Sequence, residues 1–127
     1  MAAQRVHVLG RAFLAKVLPL AAVLVLGACG NSAEDKLYEG FKCARVAQQL
    51  GRPSLASNAM QNVREHAKEL ESGMSVSERA RSARKASERF QDDVPLHRLN
   101  NQGKYELLTE IFESGTCKKL YASPSRP

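Results

Sequence analysis

Residues 33–51, AEDKLYEGFKCARVAQQLG, decide the fold class. Leu37, Phe41 and Ala44 recur at helical spacing, and Cys43, Val46, Ala47 and Leu50 widen the same apolar arc. Glu34 and Asp35 fall in the first turn, where negative charge complements the helix dipole, and Gly51 ends the pattern. Arg52-Pro53-Ser54 is a breaker and restart.

The same period continues downstream. A second helix is expected from about Ser54 to Ser72, with Leu55, Ala59, Val63 and Leu70 on one arc and Ala56, Met60 and Ala67 beside them. Glu65, Lys68, Glu69 and Glu71 lie outside that arc, and Gly73 terminates it. Ser75-Val76-Ser77-Glu78 has the S-x-x-E form of a capping box and opens a third helix to about Gln91. Its apolar side is thin, consisting of Val76, Ala80, Ala83, Ala86 and Phe90. Asp92-Asp93-Val94-Pro95 breaks the pattern, and a short helical piece can follow from Leu96 to Leu99. Asn100-Asn101-Gln102-Gly103 then starts a fourth helix to about Ser114, with Tyr105, Leu107, Leu108, Ile111 and Phe112 on its apolar side. Gly115 suits a left-handed C-cap. With no alternating strand pattern, the expectation is an all-α bundle of about four helices over residues 34–121, followed by a frayed tail at 122–127.

The segment before this bundle reads differently. Arg5, Arg11 and Lys16 precede an apolar run from Val17 to Ala28 that only Pro19 interrupts. About a dozen residues suit a signal h-region, whereas a membrane-spanning helix takes roughly 20. A short buried helix and an uncleaved anchor are the alternatives. Leu26-Gly27-Ala28-Cys29 closes the run and resembles the lipobox of bacterial lipoprotein precursors. That resemblance implies removal of residues 1–28, covalent lipid on Cys29 and a short tether over residues 29–33. Two or three acyl chains anchor far more firmly than one. Gly30 stands where, in similar enteric lipoproteins, an aspartate favours inner-membrane retention. The resemblance therefore implies a bacterial outer-membrane anchor with the domain facing the periplasm, with inner membrane and cell surface as alternatives.

Three of the 19 basic residues belong to the leader, so 16 face 13 acidic ones in the mature chain, a net charge near +3. This excess gives no argument for nucleic acid. Cys43 and Cys117 remain beside the lipidated cysteine, and in an oxidising compartment a lone pair is most simply a disulfide. Free thiols or a metal pair are the alternatives, although two cysteines without a matching histidine pair make a poor zinc site.

Candidate chemistry is sparse. His66 falls inside the apolar arc of the second helix, and no spacing brings it to His97, the other mature histidine. Asp92 and Asp93 are adjacent and so do not face each other across a substrate. The chain has no G-x-S-x-G elbow and no phosphate-binding glycine loop. No catalytic, metal or cofactor site is expected apart from the lipid on Cys29. Arg81, Arg84, Lys85 and Arg89 of the third helix occupy the arc opposite Val76, Ala83 and Phe90. They are a candidate face for an acidic partner or anionic envelope ligand, against the simpler reading of a solvated helix surface. No aromatic residues interleave with them, as a single-strand groove would require.

The leading expectation is thus a non-enzymatic envelope lipoprotein that acts by binding another protein. Its layout resembles accessory subunits of envelope or transfer machines and exclusion or immunity lipoproteins. Binding lipopolysaccharide or peptidoglycan, or inhibiting a periplasmic lytic enzyme, is the alternative.

Overall fold

A computed structural model describes residues 32–124. The leader, Cys29 and the last three residues of the tail lie outside the described residues. The described chain is all-α: α1 (Ala33–Gln49), α2 (Pro53–Asn62), α3 (Arg64–Glu71), α4 (Val76–Asp93), a 3-10 turn (Leu96–Arg98), α5 (Asn101–Phe112) and α6 (Gly115–Tyr121).

α1 is the central element, and every other helix packs against it. The Ser32 hydroxyl caps its start by accepting from the Asp35 N–H at 3.1 Å. Its end is a Schellman motif, in which Gly51 N–H donates to the Gln48 carbonyl and Arg52 N–H to the Ala47 carbonyl. Gly51 has φ 70°, a conformation that only glycine adopts without strain. Pro53 occupies the first turn of α2, where its missing N–H costs nothing. Together these residues set a tight α1–α2 hairpin.

The expected 54–72 helix is two helices. Val63 leaves helical geometry at φ −107° and ψ 6°, and it is buried. Periodicity could not show this break, because the apolar spacing runs through it. Its cause is tertiary: the two γ-methyls of Val63 lie where a Cβ on Gly40 would stand. The chain turns there and carries α3 along α1. Gly40→Ala gains up to about 1 kcal/mol of helix propensity, but overpacking costs about 1–3 kcal/mol. Denaturant titration of Gly40→Ala should therefore show a net loss of about 1–2 kcal/mol. The same substitution in a Val63→Ala background should cost less, because the two γ-methyls are gone and only the residue-63 Cβ, 3.1 Å away, stays close. A stabilised single mutant would mean that the close approach is not enforced.

Two further expectations are corrected. Gly115 is not a left-handed C-cap: it is the first residue of α6, whose start is capped by the Ser114 hydroxyl accepting from Cys117 N–H at 3.2 Å. Tyr105 does not join the apolar side of α5, being 62% exposed, and Leu108 is the buried residue of that helix.

The core has two lobes. One joins α1, α2 and α6 through Cys43, Ala44, Ala47, Ala56, Ala59, Cys117 and Tyr121. It is rich in alanine, so backbones approach closely while each contact buries little area. The Cys43–Cys117 disulfide crosses it, with Cα atoms 5.4 Å apart, as the lone pair led us to expect. α6 is tied down further by α2: Asn58 donates to the Tyr121 carbonyl at 3.0 Å, and Asn62 donates to the Leu120 and Ala122 carbonyls. The Tyr121 hydroxyl donates to the Cys43 carbonyl at 2.8 Å, and burial pushes its pKa up to about 12. The second lobe joins α1, α4 and α5 through Tyr38, Val46, Phe90, Val94 and Leu108.

Candidate functional site

α4 is the anomaly of the fold. Its capping box is complete, with the Ser75 hydroxyl accepting from Glu78 N–H and the Glu78 carboxylate accepting from Ser75 N–H at 2.7 Å. Those contacts hold the Glu78 carboxyl below its ordinary pKa. Yet Phe90 is the only buried residue in its 18. Of the expected apolar arc, Ala86 is half-buried, Ala80 and Ala83 are exposed, and Val76 is 78% exposed. The helix docks through its last turns alone.

That docking is specific. The Phe90 ring meets Phe41 edge-on, with centroids 6.0 Å apart. The Tyr38 hydroxyl donates to the Asp93 carboxylate at 2.6 Å. Burial, and then that hydrogen bond, push the Tyr38 pKa above its ordinary value. Arg89 lays its guanidinium 3.9 Å from the Tyr38 ring centroid and donates to Asp35 at 3.1 Å. Hydrogen bonds from Ser32 and then Arg89 hold the Asp35 carboxyl below its usual range.

Between this anchored end and the α3–α4 turn a groove of about 290 Å³ is left open. Leu37 and Phe41 of α1, Met60 of α2, Ala67 and Leu70 of α3, Met74 of the turn, and Ala83 and Ala86 of α4 give it an apolar lining. Its charged lining residues divide by wall. Glu34 on α1 and Glu71 on α3 are acidic, while Arg79, Lys85 and Arg89 on α4 are basic. All five are exposed.

This geometry divides the four basic residues that the sequence grouped as one face. Arg89 differs from the other three, because Asp35 and the Tyr38 ring engage its guanidinium while its side chain stays about half exposed. Lys85 lines the groove, whereas Arg81 and Arg84 do not. Arg79, which lies outside that group of four, joins Lys85 there. Among the described residues Arg79, Arg81, Arg84 and Lys85 form no salt bridge. Met74 had no sequence signal, since it sits between two helices. Met60 and Leu70 carried one, but as core positions of a helix taken to be continuous.

The remaining candidates have structural settings. His66 is half-buried with Nδ1 4.0 Å from Glu69, and Asp93 serves Tyr38. Among the described residues no group of three or more His, Cys, Asp or Glu is placed to hold a metal ion. No helix among them is long and apolar enough to cross a membrane. Compared with protein-family models, with curated proteins and with solved structures, the chain matches none.

Proposed function

We propose that this chain is a small lipid-anchored envelope protein that acts by binding another protein, as an accessory subunit of an envelope or transfer machine or as an exclusion- or immunity-type lipoprotein. The observation that carries this reading is the half-used α4. A well-capped helix of 18 residues that buries only Phe90 adds little to the core, and it leaves an apolar groove open beside it. Exposed apolar surface rimmed by charge is a mark of interaction sites. The lipobox supports the anchor. Ser32, where the described chain begins, is three residues after Cys29, so at most about 11 Å of tether separates α1 from the lipid. The groove, lined at that end by Glu34 and Leu37, would then work close to the membrane surface.

One experiment in a bacterial host tests both halves. Labelled palmitate should enter the wild-type protein and be absent from Cys29→Ser, and a photo-crosslinking residue at Ala83 should give discrete protein adducts. Lys85→Glu should reduce those adducts more than the Arg81→Glu/Arg84→Glu pair. Such surface changes shift stability by less than about 0.5 kcal/mol, so melting temperatures should stay close to wild type. An unlipidated wild-type product would remove the anchor. A lipidated protein without adducts, or with adducts only to lipopolysaccharide or peptidoglycan, would overturn the protein-binding reading.

A further inference from the structure

We propose that the groove between α1, α3 and α4 receives one amphipathic α-helix of the partner, with large apolar residues at i, i+4 and i+7 and acidic side chains on the flank that runs along α4. This deepens the protein-binding reading and rests on it.

Size comes first. At about 290 Å³ the groove lies at the low end of small-molecule sites, and it is partly open to solvent. It holds a row of a few side chains rather than a whole enclosed ligand. Its walls are helices, and ridges of side chains on one helix fit grooves between others.

The lining residues agree with this occupant. Met60 and Met74 are unbranched and polarizable, so they re-pack around differently shaped apolar residues, as methionine-lined helix grooves do. Ala83 and Ala86 leave room for the incoming side chains. α4 is fixed only through its last turns, so its first half can adjust its distance from α3.

The charges select the kind of helix. Arg79 and Lys85 on the α4 wall have no anionic partner among the described residues, and Glu34 and Glu71 stand on the α1 and α3 walls. A helix with an acidic flank towards α4 and a neutral or basic flank towards α3 complements both walls. A single-chain anionic amphiphile would set its head group among Glu34 and Glu71 as well as the cations. A second copy of this chain, docking through its own α4, would bring Arg79, Arg81, Arg84 and Lys85 against the same residues.

Methionine methyls report directly on occupancy. The full chain in lipid nanodiscs, labelled at its methionine methyls, is titrated with a synthetic helix carrying leucines at i, i+4 and i+7, glutamates on one flank and lysines on the other. The Met60 and Met74 methyl signals should shift together and saturate. Replacing the leucines by alanine should abolish the shift, and so should Ala83→Arg, a change at an exposed position. Replacing the peptide's glutamates by lysine should weaken binding at least tenfold. An Arg79→Glu/Lys85→Glu protein should restore binding of that all-lysine peptide.

Equal binding of both peptides, or no methyl shift with either, overturns the inference. Palmitate shifting both methyls where the peptides do not would assign the groove to an alkyl chain instead. Protein adducts at Ala83 that persist while no helix peptide moves the methyls would leave protein binding intact and remove the helix. Peptide binding without any adducts would do the reverse.

Discussion

Replacing Cys43 and Cys117 by alanine, or reducing them in the wild type, should lower stability by about 4.5 kcal/mol or more. Cross-linking residues 74 apart removes chain entropy from the unfolded state, and the loop-closure relation gives about 4.5 kcal/mol for that length. Both cysteines are fully buried among small residues, at 0% and 1% exposure, so their removal also deletes packing that alanine does not replace. Domains of this size are stable by only about 5–15 kcal/mol in total. The loss is therefore at least about a third of the whole margin.

The loss should also be uneven. α6 is a helix of seven residues, too short to persist alone, and its other ties are the Asn58 and Asn62 amides, the Tyr121 hydroxyl and the packing of Leu120 and of the Tyr121 ring, whose centroid is 4.8 Å from that of Phe112. Hydrogen exchange of the double variant should therefore show residues 115–121 opening first, followed by the α1–α2 hairpin at a lower global stability. The capping box of α4 should be unaffected. Denaturant titration with and without reductant measures the global part. A difference below about 1 kcal/mol would mean that the reduced chain retains the lobe by packing alone.

Phe90→Ala should be the most damaging single change outside the disulfide. A buried phenylalanine replaced by alanine costs about 3–5 kcal/mol. Phe90 is the one buried residue of α4, its ring packs on Phe41, and the Arg45 guanidinium stands 6.0 Å from its centroid. With it gone, Val94, Ala86, the Arg89 guanidinium on the Tyr38 ring, the Tyr38–Asp93 hydrogen bond and the Arg89–Asp35 pair are left to hold the helix. The Arg89–Asp35 pair is half-exposed and of modest worth, and the Tyr38–Asp93 hydrogen bond, though part-buried, is a single contact. α4 should detach from α1 as a unit, seen as rapid exchange across residues 76–93, while the disulfide-linked lobe stays protected. Binding at the groove should be lost with it. Val76→Ala, at the exposed end of the same arc, should change stability by less than about 0.5 kcal/mol. Comparable losses from the two variants would mean that α4 is held along its whole length.

That contrast within one helix shows where sequence reasoning stopped. Val76, Ala80, Ala83, Ala86 and Phe90 form one arc by periodicity, and the arc says only which side faces inward if something lies there. Whether a neighbour covers it depends on where α3 turns, and that turn is set by Val63 meeting Gly40, residues 23 positions apart. The same limit applies to Arg89. On the helix alone it groups with Arg81, Arg84 and Lys85, but Asp35 and Tyr38, more than 50 residues earlier, engage it. The groove was legible only as scattered residues, because its lining comes from four helices and a turn.

By itself the sequence determined the features that are local or combinatorial. Apolar period specified helices, Gly51 and Pro53 placed the first turn, and Ser75 with Glu78 placed the start of α4, because each acts through neighbours within a few residues. A single pair of cysteines left one pairing within the domain. Tertiary structure decided the rest: the break at Val63, the capping of α6 by two asparagines of α2, and the division of the basic residues into engaged and open. It also decided the opening between α3 and α4. Each of these depends on distance in space between residues far apart in the chain, and side-chain period carries no information about that.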